Sequence, residues 1–507
     1  MSNLLNKYKL LLACVMGFIT SYAFAPTYYI IILFLSFPIL LFLLYNATSY
    51  KDSFRIGWCF GFGYFLNGLY WVSYALLIDN IFGWLVPFAI ILIPAILALY
   101  TGVTTVTLHM VRKSHTIAFT LSFICLWILF EIARTTLFTG LPWLALGYSL
   151  SKWPTMIQSA SLGGVFLLSF ILLCAASIPF VIINSKKNKE QLILPITIAL
   201  LFITLPIANY IYGTNRLNNA TIRFYEQHIR IVQPNISQSL KWNERKQNDN
   251  LLKLMYLTNK PSANHNVFIV WPEAAASTFS FNEKGVRNFI KRIIPTDSYL
   301  IAGGLRNEKS SQIWNSIFVI NHDGDIVNYY DKIHLLPFGE YIPLRQFLPF
   351  NINKITYGLS DFTPGTTVKT IKIKNLPSFR PLICYEAFFA HELLNNNNRP
   401  DIFINFINDA WFGNSPGPYQ HLDMTIFRSV EYGIPMIRAA NTGISIVTDP
   451  YGRILQRLPL NSEGLIDGKI PFSLATNTIY GIYGNYTLIM FLLVLFGVTL
   501  ITVQKRY

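Results

Sequence analysis

Eight apolar runs, near residues 9–25, 28–45, 57–78, 83–109, 117–133, 161–184, 192–212 and 485–503, limit what this chain can fold into. Each suffices for a helix across a hydrocarbon core of about 30 Å, which takes roughly 20 residues. A chain built this way turns apolar surface to lipid. Composition agrees: of 507 residues, 52% are hydrophobic and 13% charged, too few charges for a soluble surface of this size.

The formal net charge of +15 would suggest nucleic acid if the basic residues were spread over one surface. They fall instead beside the apolar runs. Lys7 and Lys9, Lys51 and Arg55, Arg112 and Lys113, Lys186, Lys187 and Lys189, and Lys505 and Arg506 mark every second connection, whereas the short connections between carry only Arg134 and Lys152. By the positive-inside rule both termini are cytoplasmic and the long polar segment lies on the outer face. Ala23-Phe24-Ala25 resembles a signal-peptidase site, but Pro26 follows it directly, so the first run is read as an uncleaved span.

Three domains follow: a membrane domain of seven helices over 1–212, an extramembrane domain over 213–484, and an eighth helix with a short tail over 485–507. In the middle domain the texture changes to short β-rich runs, Ile229–Val232, Val267–Val270, Ile317–Ile320, Leu382–Ile383 and Ile402–Phe406, separated by turn residues. Glu244–Asn259 and Glu283–Ile293 have helical composition. The reading is an α/β sandwich of about 250 residues.

Four of the five cysteines, Cys14, Cys59, Cys125 and Cys174, lie in apolar runs, where a thiol behaves as a small hydrophobe. Cys384 alone stands in the polar domain, with no partner for a disulfide there. Three short motifs put a reactive residue just after an apolar strand: Val267–Glu273 (VFIVWPE), Asn328–Lys332 (NYYDK) and Pro381–Glu386 (PLICYE). Ligands gather beyond the carboxyl ends of strands in open α/β sheets, so Glu273, Lys332 and Cys384 can converge. The chemistry is coherent. A thiol must lose its proton to attack a carbonyl, Glu273 can accept it, and Lys332 can stabilise both thiolate and oxyanion. Singly, each residue has a plainer role: Cys384 as strand packing, Glu273 as the cap of a helix from Ala274, Lys332 as a turn charge beside Asp331.

Trp271-Pro272-Glu273, Tyr330-Asp331-Lys332 with His334 to Tyr341, and Cys384-Tyr385-Glu386 resemble the nitrilase superfamily. That resemblance implies a four-layer αββα sandwich and a Glu-Lys-Cys triad of Glu273, Lys332 and Cys384. Glu340 is then a supporting carboxylate, and Tyr385 and Glu386 shape the nucleophile's pocket. Together with the seven runs before the domain and one after it, the chain resembles the superfamily's membrane-embedded, lipoprotein-acylating branch. Further matching stretches are Gln233-Pro234-Asn235-Ile236 with Lys241-Trp242, Asn408 to Gly413, and Arg438 to Gly443.

This branch implies a bacterial inner-membrane enzyme with a periplasmic catalytic domain. Its Cys384 takes an acyl group from a phospholipid, typically phosphatidylethanolamine, and passes it to the amine of a diacylated apolipoprotein. Trp242 and Trp411 are candidates for substrate contact. The alternatives are a membrane-tethered amidase that sends the same thioester to water, and a transporter or scaffold whose outer domain only binds. A Cys-His protease would draw on His334 or His421, but the Lys332 motif leaves no need for a histidine base. No metal or cofactor is implied, as the outer domain has no Cys/His cluster at ligand spacing. Glu131 and Arg134, three apart in the fifth run, read as a mutual ion pair; Gly303 and Gly304 read as a turn where backbones approach.

Overall fold

The computed structural model describes residues 2–78, 80–112, 114–241, 244–276, 281, 283–307, 312–347, 354–356, 360–393 and 398–504. Trp242, Lys113, Lys505 and Arg506 lie outside these. The chain divides into two compact units. The first comprises Met1–Ser73, Trp84–Ala220 and Thr478–Tyr507, the second Tyr74–Gly83 and Thr221–Asn477.

Each apolar run in the first unit is helical. The helices are α1 (Ser2–Thr20), α2 (Leu33–Tyr45), α3 (Tyr50–Leu69), α4 (Val86–His109), α5 (Thr116–Thr136), α6 (Ala160–Lys187) and α7 (Ile193–Asn218). Among the described residues, four helical stretches, Ile81–His109, Thr116–Thr139, Ala160–Lys187 and Ile193–Asn218, are long and apolar enough to cross a membrane; Ile30–Tyr45 is apolar but shorter. Helices α4 and α7 leave Ile91, Leu92, Ile96, Leu200 and Leu201 exposed, an apolar surface suited to lipid. The run over 57–78 is not one α-helix: α3 ends at Leu69 and the chain tightens into a 3₁₀ stretch, Tyr70–Leu77.

Glu131 and Arg134 on α5 are both buried, and among the described residues no salt bridge joins them. Each fastens the segment that follows. The guanidinium of Arg134 donates to the carbonyls of Leu141 and Trp143, both at 2.6 Å, while a Glu131 oxygen accepts from the Leu146 N–H at 3.1 Å and the Trp127 indole at 3.2 Å. Irregular backbone in apolar surroundings must find such partners.

Among the described residues, eleven strands form two sheets in the second unit. β1 (Phe224–Gln233), β2 (Asn266–Val270), β3 (Tyr299–Asn307), β4 (Ile313–Asn321), β5 (Ile326–Asp331) and β11 (Gly464–Pro471) make one, in the order β11-β1-β2-β3-β4-β5. β6 (Phe379–Ile383), β7 (Ile402–Ile407), β8 (Met436–Ala440), β9 (Ser445–Thr448) and β10 (Ile454–Leu458) make the other, in the order β10-β9-β8-β7-β6. All five expected strand runs are strands.

Period-two alternation explains the layering. Ile229 and Ile231 of β1 and Phe268 and Val270 of β2 meet Ile383, Ile404, Phe406 and Ile437 between the sheets. Val232 and Ile269 face the opposite way, against Leu251, Leu254 and Leu257 of α9 (Gln247–Thr258) and Val286 and Ile290 of α10 (Lys284–Ile293). A short helix, α8 (Gln238–Lys241), follows β1, and the almost wholly buried α11 (Gly417–Tyr432) precedes β8. This is an αββα sandwich. The chain then returns to the first unit through α12 (Ile479–Tyr483) and α13 (Tyr486–Gln504), whose Thr499 hydroxyl lies 3.1 Å from Ser122 on α5.

Candidate active site

β1, β2 and β3 run parallel, as do β6, β7 and β8, while β5 is antiparallel to β4 and β4 to β3. Glu273, Lys332 and Cys384 therefore follow the carboxyl ends of β2, β5 and β6.

Cys384 sits on a sharp turn between β6 and a 3₁₀ stretch (Cys384–Phe388), at a left-handed φ of 53°. For a residue other than glycine this costs about 1–3 kcal/mol and persists only where neighbours over-determine it. They do so here. The Cys384 carbonyl accepts from the Asn405 amide at 3.1 Å, and the Ile383 N–H donates to Glu386 at 2.7 Å. The other Glu386 oxygen accepts from the Ile333 N–H at 2.7 Å and the Tyr330 hydroxyl at 3.1 Å. Glu386 thus ties the cysteine turn to the segment carrying Lys332. Burial lifts its pKa to about 7, against the main-chain donors that favour its charge. The Tyr385 hydroxyl reaches the Leu335 carbonyl at 2.5 Å, and its ring lies 5.2 Å from the Lys332 ammonium.

Lys332, 2% exposed, is held by Glu340 at 2.9 Å and stands 3.9 Å from Glu273. Asn315 on β4 bridges both acids, its amide donating to Glu273 at 2.9 Å and Glu340 at 3.1 Å. No helix begins at Ala274, so Glu273 is not a cap; Ala274 itself has a left-handed φ of 46°. Gly303 is inside β3 rather than at a turn, and it permits the close approach expected there. A Cβ on it would sit 2.5 Å from the Ala274 nitrogen.

The charges act on one another. Burial raises the Glu273 pKa, Lys332 opposes that rise and Glu340 adds to it. Burial also works against the charge on Lys332, yet Glu340 and Glu273 hold its pKa above the ordinary lysine value. Burial pushes the Cys384 thiol well up, Glu273 adds to this and Lys332 opposes it. A second buried ammonium, Lys241 at the end of α8, donates to the Glu273 main-chain carbonyl at 2.8 Å; burial lowers its pKa to about 8. Two carboxylates thus face two ammoniums. A proton moved from Cys384 to Glu273 would leave the net charge of this cluster unchanged.

Close to Cys384, Asp409 accepts from His421 at 2.6 Å and Arg438 at 2.8 Å, all three fully buried. Burial, then Arg438, lowers the His421 pKa to about 4, too weak a base to activate a thiol near neutrality. His334 pairs with Glu392 at 3.1 Å and stacks on Phe389 at 3.7 Å. Neither histidine is arranged as a thiol's base.

The structure gathers Glu273, Lys332, Cys384, Glu340, Tyr385 and Glu386. Trp411 is half-buried on the turn Asp409–Phe412, and among the described residues no hydrogen bond or ring contact joins it to the three. Trp242 is outside the described residues. Sequence reasoning missed Asn315, a polar residue inside an apolar strand, and gave Lys241 no role; their buried side chains are the signal, visible only in the fold.

Two family models match the chain: "apolipoprotein N-acyltransferase N-terminal domain" over residues 16–178 and "carbon-nitrogen hydrolase" over 228–480. The apolipoprotein N-acyltransferase of Rickettsia typhi is 35% identical over 489 residues, covering 95% of this chain and 96% of the relative. That of Rhodopseudomonas palustris is 33% identical over 497 residues, covering 94% and 92%. A solved carbon-nitrogen hydrolase from Helicobacter pylori is 14% identical, covers 48% of this chain and 89% of its own, and has a TM-score of 0.36.

Proposed function

The chain belongs to the apolipoprotein N-acyltransferase family, and we propose that Glu273, Lys332 and Cys384 carry its lipoprotein N-acylation through a thioester on Cys384. The observation behind this reading is the Lys332 ammonium held between Glu340 and Glu273 at the strand ends that also carry the cysteine.

In the first half-reaction Glu273 takes the Cys384 proton and the thiolate attacks an ester carbonyl of the phospholipid. The oxyanion forms toward Lys332, a preorganised cation in a site of low dielectric. Collapse breaks the ester C–O bond, and protonated Glu273 returns its proton to the departing glycerol oxygen of the lysophospholipid. In the second half the α-amine of a diacylglyceryl-cysteine loses a proton to Glu273 and attacks the thioester. The C–S bond breaks, an amide forms, and the thiolate recovers its proton. Glu340 holds Lys332 throughout. Tyr385 and Glu386 shape the turn, and Trp242 and Trp411 are offered as substrate contacts.

Phosphatidylethanolamine is proposed as the donor, and a diacylated apolipoprotein as the acceptor. Eight spans are proposed, with domains over 1–212, 213–484 and 485–507, both termini cytoplasmic and the catalytic domain on the periplasmic face of the bacterial inner membrane. The lysine and arginine clusters on alternate connections support this topology. There both lipid-anchored substrates reach Cys384 from one leaflet.

The test is to incubate purified protein with labelled phosphatidylethanolamine, with and without a diacylated lipopeptide. Mass spectrometry should find an acyl adduct on Cys384 that chases onto the peptide amine. Release of free fatty acid alone, or full transfer by Cys384→Ala, would overturn the reading.

A further inference from the structure

The triad leaves unexplained why three other sequence stretches, Gln233–Ile236, Asn408–Gly413 and Arg438–Gly443, meet at the same end of the sandwich. Their meeting point is a relay of amides. The Asn441 side-chain oxygen accepts from the Ile236 N–H at 2.9 Å, and its amide nitrogen donates to the Ile236 carbonyl at 2.7 Å and the Asn408 side-chain oxygen at 3.1 Å. The Asn408 amide nitrogen then donates to Oε1 of Gln238 at 2.8 Å.

Which atom of an amide is oxygen has to be inferred from its bonding network. Here the network starts from main-chain groups of Ile236, whose donor and acceptor are unambiguous. That start orients Asn441, Asn441 orients Asn408, and Asn408 orients Gln238. The Gln238 oxygen is therefore committed, and its two Nε2 hydrogens are turned away from the relay.

Those hydrogens have no acceptor among the described residues, although Gln238 is only 6% exposed. Leaving a buried amide donor unsatisfied is costly to a fold. The relay uses only the Gln238 oxygen, as acceptor for Asn408, and gives the two Nε2 hydrogens nothing to do. The location says what the donors serve. Gln238 lies on α8 three residues before Lys241, on the same buried face, and Lys241 binds the main chain of Glu273. Asn408 follows β7, the neighbour of the strand that ends at Cys384.

We propose that Gln238 is a substrate-binding residue whose Nε2 donors take a carbonyl or phosphoryl oxygen of the lipid acyl donor at Cys384. This rests on the proposed role of Cys384 as the acyl carrier. The lipid oxygen completes an amide that the fold leaves open, and the relay fixes that amide before the lipid arrives.

The test uses Gln238→Glu and Gln238→Ala in the full-length protein. Gln238→Glu keeps an oxygen for Asn408 but replaces both donors, so a role confined to the relay makes Gln238→Ala, which removes that oxygen, the slower of the two, and that order would overturn the inference. The readout is the single-turnover rate of thioester formation on Cys384, by mass spectrometry, from phosphatidylethanolamine and from p-nitrophenyl palmitate, which has no phosphate. The expected order is Gln above Ala above Glu, with Gln238→Glu slower by about tenfold to a hundredfold. A loss with both donors identifies the carbonyl oxygen, and a loss with the phospholipid alone identifies the phosphoryl oxygen. Rates within about twofold of wild type for both variants and both donors overturn the inference.

Alkylation of Cys384 by iodoacetamide, which needs no lipid, should be unchanged; a parallel fall in alkylation means Gln238 acts on the thiol and also overturns it. If Gln238→Glu melts early, Gln238→Ala decides by the same comparison. A wild-type protein that forms no thioester defeats the reading of Cys384 itself.

Discussion

Glu340→Gln separates holding Lys332 from merely lying near it. The Glu340 carboxylate is 2.9 Å from the Lys332 ammonium, an attraction of about 6 kcal/mol at an effective dielectric constant of about 20. Glu273, at 3.9 Å, offers about 4 kcal/mol on the same scale. Once Glu340 is neutral, Lys332 turns to Glu273 and ties up the base. Breaking one side of a buried pair costs roughly 3–5 kcal/mol of stability. That stability has a pH window. The Lys332 pKa is raised on folding from 10.5, so the contribution is full below 10.5 and lost as pH rises through the folded value.

The same shifts set the direction of the activity profile. The proposed mechanism needs Glu273 ionised and Lys332 protonated. Glu340 raises the pKa of both, so its loss moves both limbs of the profile toward acid and lowers the maximum by roughly a hundredfold. The assay is thioester formation on Cys384 against pH, with thermal unfolding of the same samples. Limbs that stay in place or move toward alkali would refute the linkage between Glu340, Lys332 and Glu273.

Cys384→Gly should unfold later than Cys384→Ala, by about 1 kcal/mol, because only glycine relaxes at a left-handed φ of 53°; equal melting points would deny the strain. Arg438→Met leaves the buried Asp409 carboxylate with His421 but without its cation, and should cost roughly 3–5 kcal/mol in denaturant titration. It also removes a charge that depresses His421. The His421 pKa is lowered on folding from 6.5 to about 4, so wild type loses stability as pH falls through that range; in the variant this acid loss should shrink, and an unchanged slope would count against it. Glu131→Ala leaves the Leu146 N–H and the Trp127 indole without their acceptor, at about 1–3 kcal/mol, and should expose residues 139–150 to protease; resistance equal to wild type would argue that the loop holds itself.

Glu273, Lys332 and Cys384 are legible in the sequence because each follows a short strand of alternating faces and the three together make one coherent chemistry, although Cys384 also packs against the core between the sheets. The strands themselves are legible for the same alternation. Asn315 is not, since one polar side chain within Ile313–Asn321 says nothing about what lies across the sandwich, and its two carboxylate partners are 42 and 25 residues away. Lys241 looks like a surface charge before a tryptophan until α8 turns it inward. Glu131 and Arg134 have the spacing of an ion pair, yet unbonded main-chain groups nearby compete for both, and those groups are invisible to spacing arguments. Apolar runs report burial or lipid, not helix type. Thus the run over 57–78 hides the change at Leu69, and that over 161–184 hides the break at Gly163 and Gly164.

The division of the chain bears on how this protein is made and cut. Thr221–Asn477 interrupts the first unit, which needs Thr478–Tyr507 for completion, while Tyr74–Gly83 belongs with the second unit although it is synthesised well over a hundred residues before it. On the ribosome neither unit can close early: one waits for its last helix, the other holds a ten-residue segment in reserve. An excised fragment of 221–477 would lack that segment, so a soluble surrogate of the sandwich should carry Tyr74–Gly83 in trans or through a designed linker.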